Sequence, residues 1–472
     1  MQRPTKFEIK GLFGNRNIIL PIEGDAIILV GPNGIGKSSV INIFYFFVSR
    51  QWRRLAEYDF DEVAIWFGDE EVRAVRADIT GLSQLDKVIG QFRPSSRISM
   101  HMETLKANGL LEEFFSSKKI SSGMRERIAE VLSIPIDDIR QLHFFIHRRI
   151  SEVGDEDIFT APRANIEQKL IQNIPGRTLY LPTYRRIEKD LNEIFPDLEE
   201  RLRHSKELGS PFTFMRSSKH YVDLVSFGME DVRSNIDTKS RYLRDYSLAQ
   251  FNDLSGLYLR DVIKGTADQY SQSQIAKLDE QGLTVILGRV SEQVLSDEDK
   301  RLLRQKILDI KAKKREQMET NDLYLAHYFS RLMSASADIS KQEIEISAFV
   351  DVCNAYLRPG KNMLYDDTKF TIDIVDDKGK MIDLSVLSSG EKQVVSLFSH
   401  LYLDDAKDQI VIIDEPELSL SVPWQKRFLV DILDSAHCGF ILSVTHSPFI
   451  YQNRLKGVAV DLRRNTISMN KG

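Results

Sequence analysis

A glycine-rich segment that ends in lysine and serine is the clearest chemical signal in the sequence. It matches GxxxxGK[ST] and runs from residue 31 to residue 38, between a strand-length apolar run and an apolar helical stretch. Backbone amides in such a loop wrap phosphate oxygens, while the lysine reaches the β- and γ-phosphates and the hydroxyl binds Mg²⁺. An accidental glycine-rich turn is the alternative. We expect the phosphates to be bound by Asn33, Gly34, Gly36, Lys37, Ser38 and Ser39, with Ser38 also a metal ligand.

Two adjacent acidic residues at the end of a second apolar segment complement this loop. Residues 409–414 have the composition of a buried strand, and Glu415 follows directly. We predict that Asp414 holds Mg²⁺ through water, and that Glu415 acts as the general base on the attacking water. An acidic cap on the helix that begins near Pro423 is the alternative.

Two further segments carry polar groups that suit an anion. Residues 388–391 open a predicted helix, so we assign Ser388, Gly390 and Glu391 to nucleotide binding. A plain helix N-cap is the alternative for this segment. His446 ends the next apolar strand, and we interpret it as a catalytic contact to the γ-phosphate, beside Lys37 and Glu415. A structural histidine is the alternative there.

In this order the four segments resemble the Walker A, signature, Walker B and switch-histidine motifs of the ABC ATPase superfamily. Residues 417–421 stand in the place of the D-loop, and the resemblance covers roughly residues 5–80 and 365–470. It implies ATP and Mg²⁺ as ligands and ATP hydrolysis as the reaction. It also implies that the signature of one copy covers ATP on the phosphate loop of another, so that two copies pair head to tail.

The long separation between the first and third motifs is typical of the SMC, Rad50 and RecF branch. The phosphate loop, residues 180–186 (YLPTYRR) and residues 417–425 (ELSLSVPWQ) resemble more closely the OLD-like ATPases of the PARIS and Septu anti-phage systems. Ile35, Ser389 and Glu391 depart from the usual residues. The Q-loop glutamine, a further Mg²⁺ ligand in this superfamily, is assigned to Gln84, with Gln51 as the alternative.

The elements that must position these motifs alternate between strands and helices at both ends of the chain. This pattern predicts an α/β fold with a parallel sheet, namely an ABC-type P-loop ATPase head split by a large, mainly helical insertion. We predict head segments at 1–97 and 359–472, and the insertion at 98–358. Within the insertion, residues 178–187 are expected to return to the head.

Composition limits the class of protein. Apolar residues make up 42% of the 472 residues, charged residues 28%, and the formal net charge is −5. The two cysteines lie far apart, which argues against a zinc finger or a disulfide framework and suits a reducing compartment. We recognise no signal peptide and no apolar run of membrane-spanning length, so we expect a cytoplasmic protein without membrane contact.

Three further groups of residues have weaker claims. Tyr184, Arg185 and Arg186 suit either a place near the nucleotide or a solvated turn. His143 and His147 have metal-ligand spacing but no evident third ligand, so a basic helix end is preferred. The basic segment 300–315 suits DNA phosphates, but a solvated helix face is the commoner reason for such a segment.

The leading interpretation is a sensor and scaffold subunit of an anti-phage complex, which controls a separate effector through ATP-dependent head pairing. The resemblance implies an effector nuclease (Toprim-like or HNH), a phage-derived trigger, and homo-oligomers for which hexamers of three head pairs are one arrangement. The alternatives are a RecF/SMC-like DNA-repair or DNA-clamp ATPase and a scaffold that binds ATP without hydrolysis. A transporter subunit is disfavoured by the length of the insertion.

Overall fold

The computed structural model describes residues 2–90, 97–108, 110, 114, 121–152, 166–182, 221–223, 229–266, 280–289, 295–313 and 317–468. The chain forms two compact units. Unit 1 comprises residues 1–227 and 406–472, and unit 2 comprises residues 228–405. The sequence-based boundaries at 97 and 358 lie within these units, and the division into three segments stays a prediction.

Unit 1 contains two sheets and the helices that pack on them. Its strands are β1 (Lys6–Leu12), β2 (Arg16–Pro21), β3 (Ala26–Val30), β4 (Glu62–Phe67), β5 (Glu70–Val75), β6 (Thr178–Leu181), β7 (Tyr221–Asp223), β11 (Gln409–Asp414), β12 (Cys438–Val444), β13 (Ala459–Asp461) and β14 (Thr466–Ser468). Its helices are α1 (Lys37–Val48), α2 (Trp52–Leu55), α3 (Arg76–Gly90), α4 (Arg97–Ala107), α5 (Ser122–Leu132), α6 (Ile136–Glu152), α7 (Ile166–Asn173), α14 (Val422–Leu433) and α15 (Pro448–Tyr451).

The larger sheet is parallel and has the strand order β13-β3-β12-β11-β6-β7. Strand β6, which comes from the middle of the chain, pairs with β11 along its whole length, from Thr178 to Leu181. All six residues of β11 are buried, as expected for a strand covered on both faces. The predicted α/β P-loop ATPase fold with a helical region in the middle of the chain is confirmed.

The smaller sheet is antiparallel, with the order β14-β2-β1-β4-β5. Strands β13 and β14 are close together along the chain but belong to different sheets. Strand β13 pairs with β3 in the parallel sheet, and β14 pairs with β2 in the antiparallel sheet. A short 3-10 turn, Leu462–Asn465, carries the chain from one sheet to the other.

Helix α1 shares its core with both sheets. The Phe44 ring lies edge-on to Phe7 of β1, with 5.0 Å between ring centroids, and 6.2 Å from the ring of Phe440 in β12. Nearly all its apolar side chains are buried, which explains why residues 40–48 are so hydrophobic. The phosphate loop therefore precedes a helix that is fixed by packing on two sides.

Unit 2 is mainly helical and carries a small antiparallel sheet of order β10-β9-β8. Its helices are α8 (Glu230–Ile263), α9 (Glu280–Gly288), α10 (Asp297–Ala312), α11 (Thr320–Gln342), α12 (Ile344–Leu357) and α13 (Ser389–Tyr402). The strands are β8 (Lys361–Asp366), β9 (Thr371–Asp376) and β10 (Met381–Ile382). Helix α13 packs against α12 and α8, so the signature segment is supported by helices of unit 2.

Candidate functional site

The phosphate loop joins β3 to α1 through backbone that only glycine adopts easily. Gly34 has a φ of 79° and Gly36, the residue before α1, a φ of 102°. A side chain at either position is strained, because L-residues rarely occupy this left-handed region. Asn33, Gly34 and Ser38 are exposed and Ser39 is half-buried, so the loop presents its backbone and hydroxyl groups outward.

Lys37, the first residue of α1, is buried with only 6% of its surface exposed. Its Nζ donates hydrogen bonds of 2.9 Å to the carbonyl oxygens of Gly31 and Pro32, so the amine is held inside its own loop. Burial lowers the pKa of Lys37, and the nearby carboxylates of Glu415, Asp414 and Glu417 oppose this shift. An amine in such a place is ready to exchange carbonyl contacts for phosphate oxygens.

Three of the predicted motifs meet at the carboxyl edge of the parallel sheet. Strands β3, β12 and β11 are neighbours, and Val444 in β12 lies opposite both Leu29 in β3 and Asp414 in β11. The phosphate loop, the acidic pair and His446 each follow one of these strands directly. This edge of an open parallel sheet is where ligands bind in α/β proteins.

Glu415 has an unusual backbone conformation and a perturbed carboxyl group. Its φ is 53°, which is uncommon for a residue with a side chain, and its N–H donates to the Val444 carbonyl at 2.8 Å. Burial raises the pKa of Glu415, repulsion from Asp414 and Glu417 raises it further, and His446 and Lys37 oppose the shift. The effects of Lys37 and His446 on this carboxyl group place all three residues in one electrostatic neighbourhood. Asp414 beside them is 4% exposed.

A second glutamate, which sequence reasoning placed only within the D-loop, organises the same edge. The Glu417 carboxylate accepts a hydrogen bond from the Thr445 hydroxyl at 2.7 Å. It also accepts from the backbone N–H groups of His446 at 2.7 Å and Ser447 at 3.2 Å. His446 itself is exposed, so its ring is accessible while its backbone is held.

The signature segment lies in unit 2 and forms a complete capping box. The Ser388 hydroxyl accepts from the Glu391 N–H at 3.4 Å, and the Glu391 carboxylate accepts from the Ser388 N–H at 2.6 Å. Lys361 adds an ion pair of 2.6 Å to the same carboxylate. Burial raises the pKa of Glu391, but the bonds from Lys361 and Ser388 outweigh it, so the net shift is downward. The N-cap alternative therefore describes this segment locally, while the exposed Ser388 and buried Gly390 leave the nucleotide assignment a prediction.

The Q-loop assignment stays a prediction. Gln84 lies on α3, after the β4–β5 hairpin, and its side chain is outside the described residues. Gln51 is buried just before α2, where its amide donates to the Ser49 hydroxyl at 2.9 Å. That internal contact gives Gln51 a local structural use.

The weaker candidates have mixed outcomes. Tyr184, Arg185 and Arg186 lie outside the described residues, as does the side chain of His147. His143 is buried on α6, with its ring edge-on to Phe114 at 5.1 Å. In the basic segment, Lys313 forms an ion pair of 2.9 Å with Asp322, and residues 314–316 are outside the described part.

Two residues of the β1–β2 hairpin border the phosphate loop and were not identified from the sequence. Arg16 donates from Nη1 to the Ile35 carbonyl at 3.3 Å. Phe13 is 48% exposed, and a Cβ placed on Gly36 would lie 3.7 Å from its ring. The spacing of the motifs does not predict that Phe13 and Arg16 lie beside the phosphate loop, because both belong to a separate hairpin.

The donor set suits Mg–ATP. A serine hydroxyl at the start of α1 and a carboxylate at the end of β11 are hard oxygen ligands of the kind Mg²⁺ prefers. Within the described ranges, no group of three or more His, Cys, Asp and Glu side chains is arranged to hold a metal alone. Mg²⁺ here would therefore complete its coordination with phosphate oxygens and water, which is how nucleotide-linked Mg²⁺ is usually bound.

Comparison with known protein families finds one match. Residues 125–451, more than half of the chain, match the family described as "AAA domain, putative AbiEii toxin, Type IV TA system". The match includes the signature, Walker B and switch-histidine segments and begins after the phosphate loop. A comparison with curated proteins finds no match.

Among solved structures, three Smc head domains resemble the chain at low similarity. The head from Pyrococcus furiosus with an extended coiled coil, bound to the C-terminal domain of ScpA, is 13% identical with a TM-score of 0.32, covering 99% of this chain and 96% of that one. A SmcHead bound to the C-winged helix domain of ScpA is 12% identical, with a TM-score of 0.32 and 99% of both chains covered. The head from Pyrococcus yayanosii with a coiled coil and joint is 16% identical, with a TM-score of 0.30 and coverage of 99% and 97%.

Similarity at this level carries no conclusion about partners or activity.

One further property concerns membranes: across the described residues, every helix is too short or too polar to cross a bilayer.

Proposed function

The chain belongs to this AAA domain family and has an α/β P-loop ATPase fold, and from that premise we propose that it binds and hydrolyses Mg–ATP. Lys37 and the loop amides bind the phosphates, Ser38 and Asp414 hold Mg²⁺, and Glu415 accepts the proton of the attacking water. The observation that carries this proposal is the convergence of Lys37, Glu415 and His446 at one sheet edge, where Glu415 opposes the lowering of the Lys37 pKa and both Lys37 and His446 oppose the raising of the Glu415 pKa.

Each residue has a defined task in this reaction. The Lys37 amine leaves the Gly31 and Pro32 carbonyls for phosphate oxygens and stabilises their charge. Glu415 is aimed by its left-handed backbone and by the bond from its N–H to Val444. Bound Mg²⁺ supplies charge neutralisation of the phosphates. His446 donates to the γ-phosphate from the neighbouring strand end.

The direct test is phosphate release from ATP with Mg²⁺. Glu415→Gln should bind ATP normally but lower kcat about 10²–10⁴-fold, because a positioned general base contributes that much. A Glu415→Gln chain that turns over at the wild-type rate removes Glu415 from this role. A wild-type chain that binds ATP without releasing phosphate favours the alternative of a scaffold that only binds ATP.

We also propose that two copies pair head to tail, with Ser388 of one copy over the phosphate loop of the other. Large apolar side chains are exposed beside each motif, which supports an interface there. These are Phe13 near the phosphate loop, Val386 before Ser388, Val422 after the D-loop and Phe449 after His446. Higher oligomers, including hexamers of three pairs, extend the same proposal.

Mixing two inactive variants tests head-to-tail pairing. Lys37→Ala lacks a phosphate loop that binds ATP, and Ser388→Asp places a negative charge where the partner's phosphate should lie. In an equal mixture, mixed pairs have one intact composite site, so activity should return to about a quarter of the wild-type level. A mixture as inactive as its components argues against a shared site.

At the cellular level we propose that head pairing controls a separate effector in defence against phage. The family description, which names a toxin–antitoxin system, supports a role of this kind. Cells that carry the chain with its neighbouring genes should lose resistance to phage infection when Lys37 is changed to alanine. Co-purification of a Toprim-like or HNH nuclease with the wild-type chain would identify the effector; resistance that survives Lys37→Ala would reject this role.

A DNA-clamp function is the second candidate, and one observation favours it. Lys300, Arg304 and Lys311 are spaced by four and seven residues on α10, which puts them on one helical face. Reversing all three charges should abolish salt-dependent DNA binding and any DNA-stimulated ATP hydrolysis if this face contacts phosphates. Turnover that ignores DNA in both proteins rejects the clamp.

A further inference from the structure

The Glu417 side chain connects two loops at the catalytic edge of unit 1. One loop follows β11 and contains Glu415; the other follows β12 and contains His446. One carboxylate oxygen of Glu417 accepts from the Thr445 hydroxyl at 2.7 Å, and the other from the N–H groups of His446 at 2.7 Å and Ser447 at 3.2 Å. A single side chain thus accepts hydrogen bonds from three consecutive residues.

These contacts are suited to fixing the backbone of His446. Thr445 is 1% exposed, and its own N–H donates to the Leu29 carbonyl at 3.1 Å, which ties it to β3 just before the phosphate loop. Hydrogen bonds to an ionised carboxylate are shorter and about twice as strong as those between neutral groups. The His446 backbone therefore has a strong acceptor at the point where the β12 ladder has ended.

A second side chain fastens the same two loops. Gln425, in the first turn of α14, accepts from the Ser447 hydroxyl at 2.7 Å and donates to the Leu420 carbonyl at 2.9 Å. The loop between β11 and α14 contains two residues in the left-handed region, Glu415 and Ser419, with φ values of 53° and 67°. Such backbone persists only where its surroundings hold it, and Glu417 lies between these two residues.

Building on the ATP hydrolysis proposed above, we propose that Glu417 is a positioning residue for that reaction, which holds the backbone of His446 in register with Glu415. Both of its carboxylate oxygens accept hydrogen bonds from residues 445–447, so we assign it the task of holding that loop and leave the role of general base to Glu415. Its effect on the reaction passes through His446, which is exposed while its backbone N–H is held by Glu417.

Kinetics separate this role from general structural support. Glu417→Ala should lower kcat about 10–100-fold, because small displacements of a reacting group cost rates of this order, and leave the Kd for ATP within about threefold. Glu417→Gln keeps an acceptor oxygen for the two N–H groups and should restore most of the rate. Glu70→Ala is the matched control, because Glu70, on β5 of the antiparallel sheet, accepts a hydrogen bond of 3.1 Å from Asn173 at the end of α7.

A double-mutant cycle tests whether Glu417 acts through His446. In a His446→Ala background, removing Glu417 should change kcat by less than about twofold, since residues that share one effect are not additive. If the fold-loss in kcat of the double variant equals the product of the losses in the two single variants, the proposal is overturned. A Glu417→Ala chain with wild-type kcat overturns it as well.

Hydrogen exchange supplies a readout that does not depend on turnover. Amides of His446 and Ser447 should be protected in the wild-type chain and exchange at least tenfold faster in Glu417→Ala, with Glu417→Gln close to wild type and Glu70→Ala unchanged. Unchanged protection in both Glu417 variants overturns the proposal. If Glu417→Ala speeds exchange but the wild-type chain releases no phosphate from ATP, the proposed ATP hydrolysis is rejected while the contacts of Glu417 are supported. The two failures are therefore distinct. Should Glu417→Ala not fold, Glu417→Asp takes its place, because the shorter side chain cannot reach all three donors and should show the same losses in kcat and in amide protection.

Discussion

The phosphate-loop edge of unit 1 and the signature segment of unit 2 differ in how their polar groups are satisfied. At the sheet edge, a buried lysine is held by its own loop's carbonyl groups, and carboxylates repel one another. At the signature, Ser388, Glu391 and Lys361 satisfy each other within one helix start. In the first region, the buried charge of Lys37 can be neutralised by an anionic ligand. In the second, the polar groups are satisfied without a ligand, so in the proposed head-to-tail pair a partner's phosphate would compete with contacts already made.

The largest effect expected from this contrast is at Lys37. Lys37→Ala should raise the Kd for ATP more than 100-fold, because the buried amine is the main positive charge facing the phosphates. The stability of unit 1 should not fall, since the substitution also removes a charge that is costly to bury. Fluorescent-nucleotide titration and thermal unfolding check both parts, and tight ATP binding by this variant contradicts the assignment.

The second effect concerns trapped pairs. Glu415→Gln with ATP should accumulate paired heads, because the substitution removes the base without touching the phosphate contacts. The mass measured by light scattering with ATP should be twice or more that without nucleotide, and wild-type protein should lose the pairs as ATP is consumed. ADP is the control ligand. Masses that are equal with and without ATP argue against ATP-dependent pairing.

At Ser388 a matched pair of variants separates capping from phosphate recognition. Ser388→Ala removes the cap and should cost about 1 kcal/mol of unit 2 stability. Ser388→Asp keeps a good cap but repels a facing phosphate, so it should retain stability and lose ATP-dependent pairing. Light scattering and unfolding measurements check these outcomes. If Ser388 only caps the helix, Ser388→Asp will pair as the wild type does.

The smallest effect is at Glu391. Its folded pKa lies below the ordinary glutamate value, so its carboxylate adds stability above about pH 4.3, and that contribution fades as the pH falls through the lowered pKa. Glu391→Gln should therefore unfold more easily than wild type near pH 7, with the difference shrinking in acid. Asp377→Asn, at an exposed turn of unit 2, is the control. A difference that is constant with pH contradicts the role of the charge.

Much of the fold was predictable from the sequence because the strands at the site are uniformly apolar and the motifs follow them directly. The runs at 26–30 and 409–414 could be identified as buried strands, and the short stretch at Thr178 as a strand returning to the sheet. The assignment of β13 and β14 to separate sheets was not predictable, because their pairing depends on distant partners. Periodicity along the chain says nothing about such partners.

Candidate site residues could be named from the sequence where they stand at motif positions, but not where their contacts depend on the conformation of a loop. Lys37 and Glu415 stand at motif positions, whereas the contacts of Glu417 depend on a loop conformation, with left-handed backbone at Glu415 and Ser419, that the sequence does not indicate. Phe13 and Arg16 reach the phosphate loop from a hairpin that precedes it. The capping box at Ser388 shows the opposite case, in which one pattern fits two functions equally.

The ring contacts of Phe7, Phe44 and Phe440 connect nucleotide binding to the thermal stability of unit 1. Since one helix joins the phosphate loop to the cores of both sheets, a ligand there adds its binding free energy to the cooperative melting of this unit. Saturation at 100 times Kd adds about 2.7 kcal/mol. In calorimetry, nucleotide should therefore raise the unfolding temperature of the unit 1 transition. Any separate transition of unit 2 should keep its temperature.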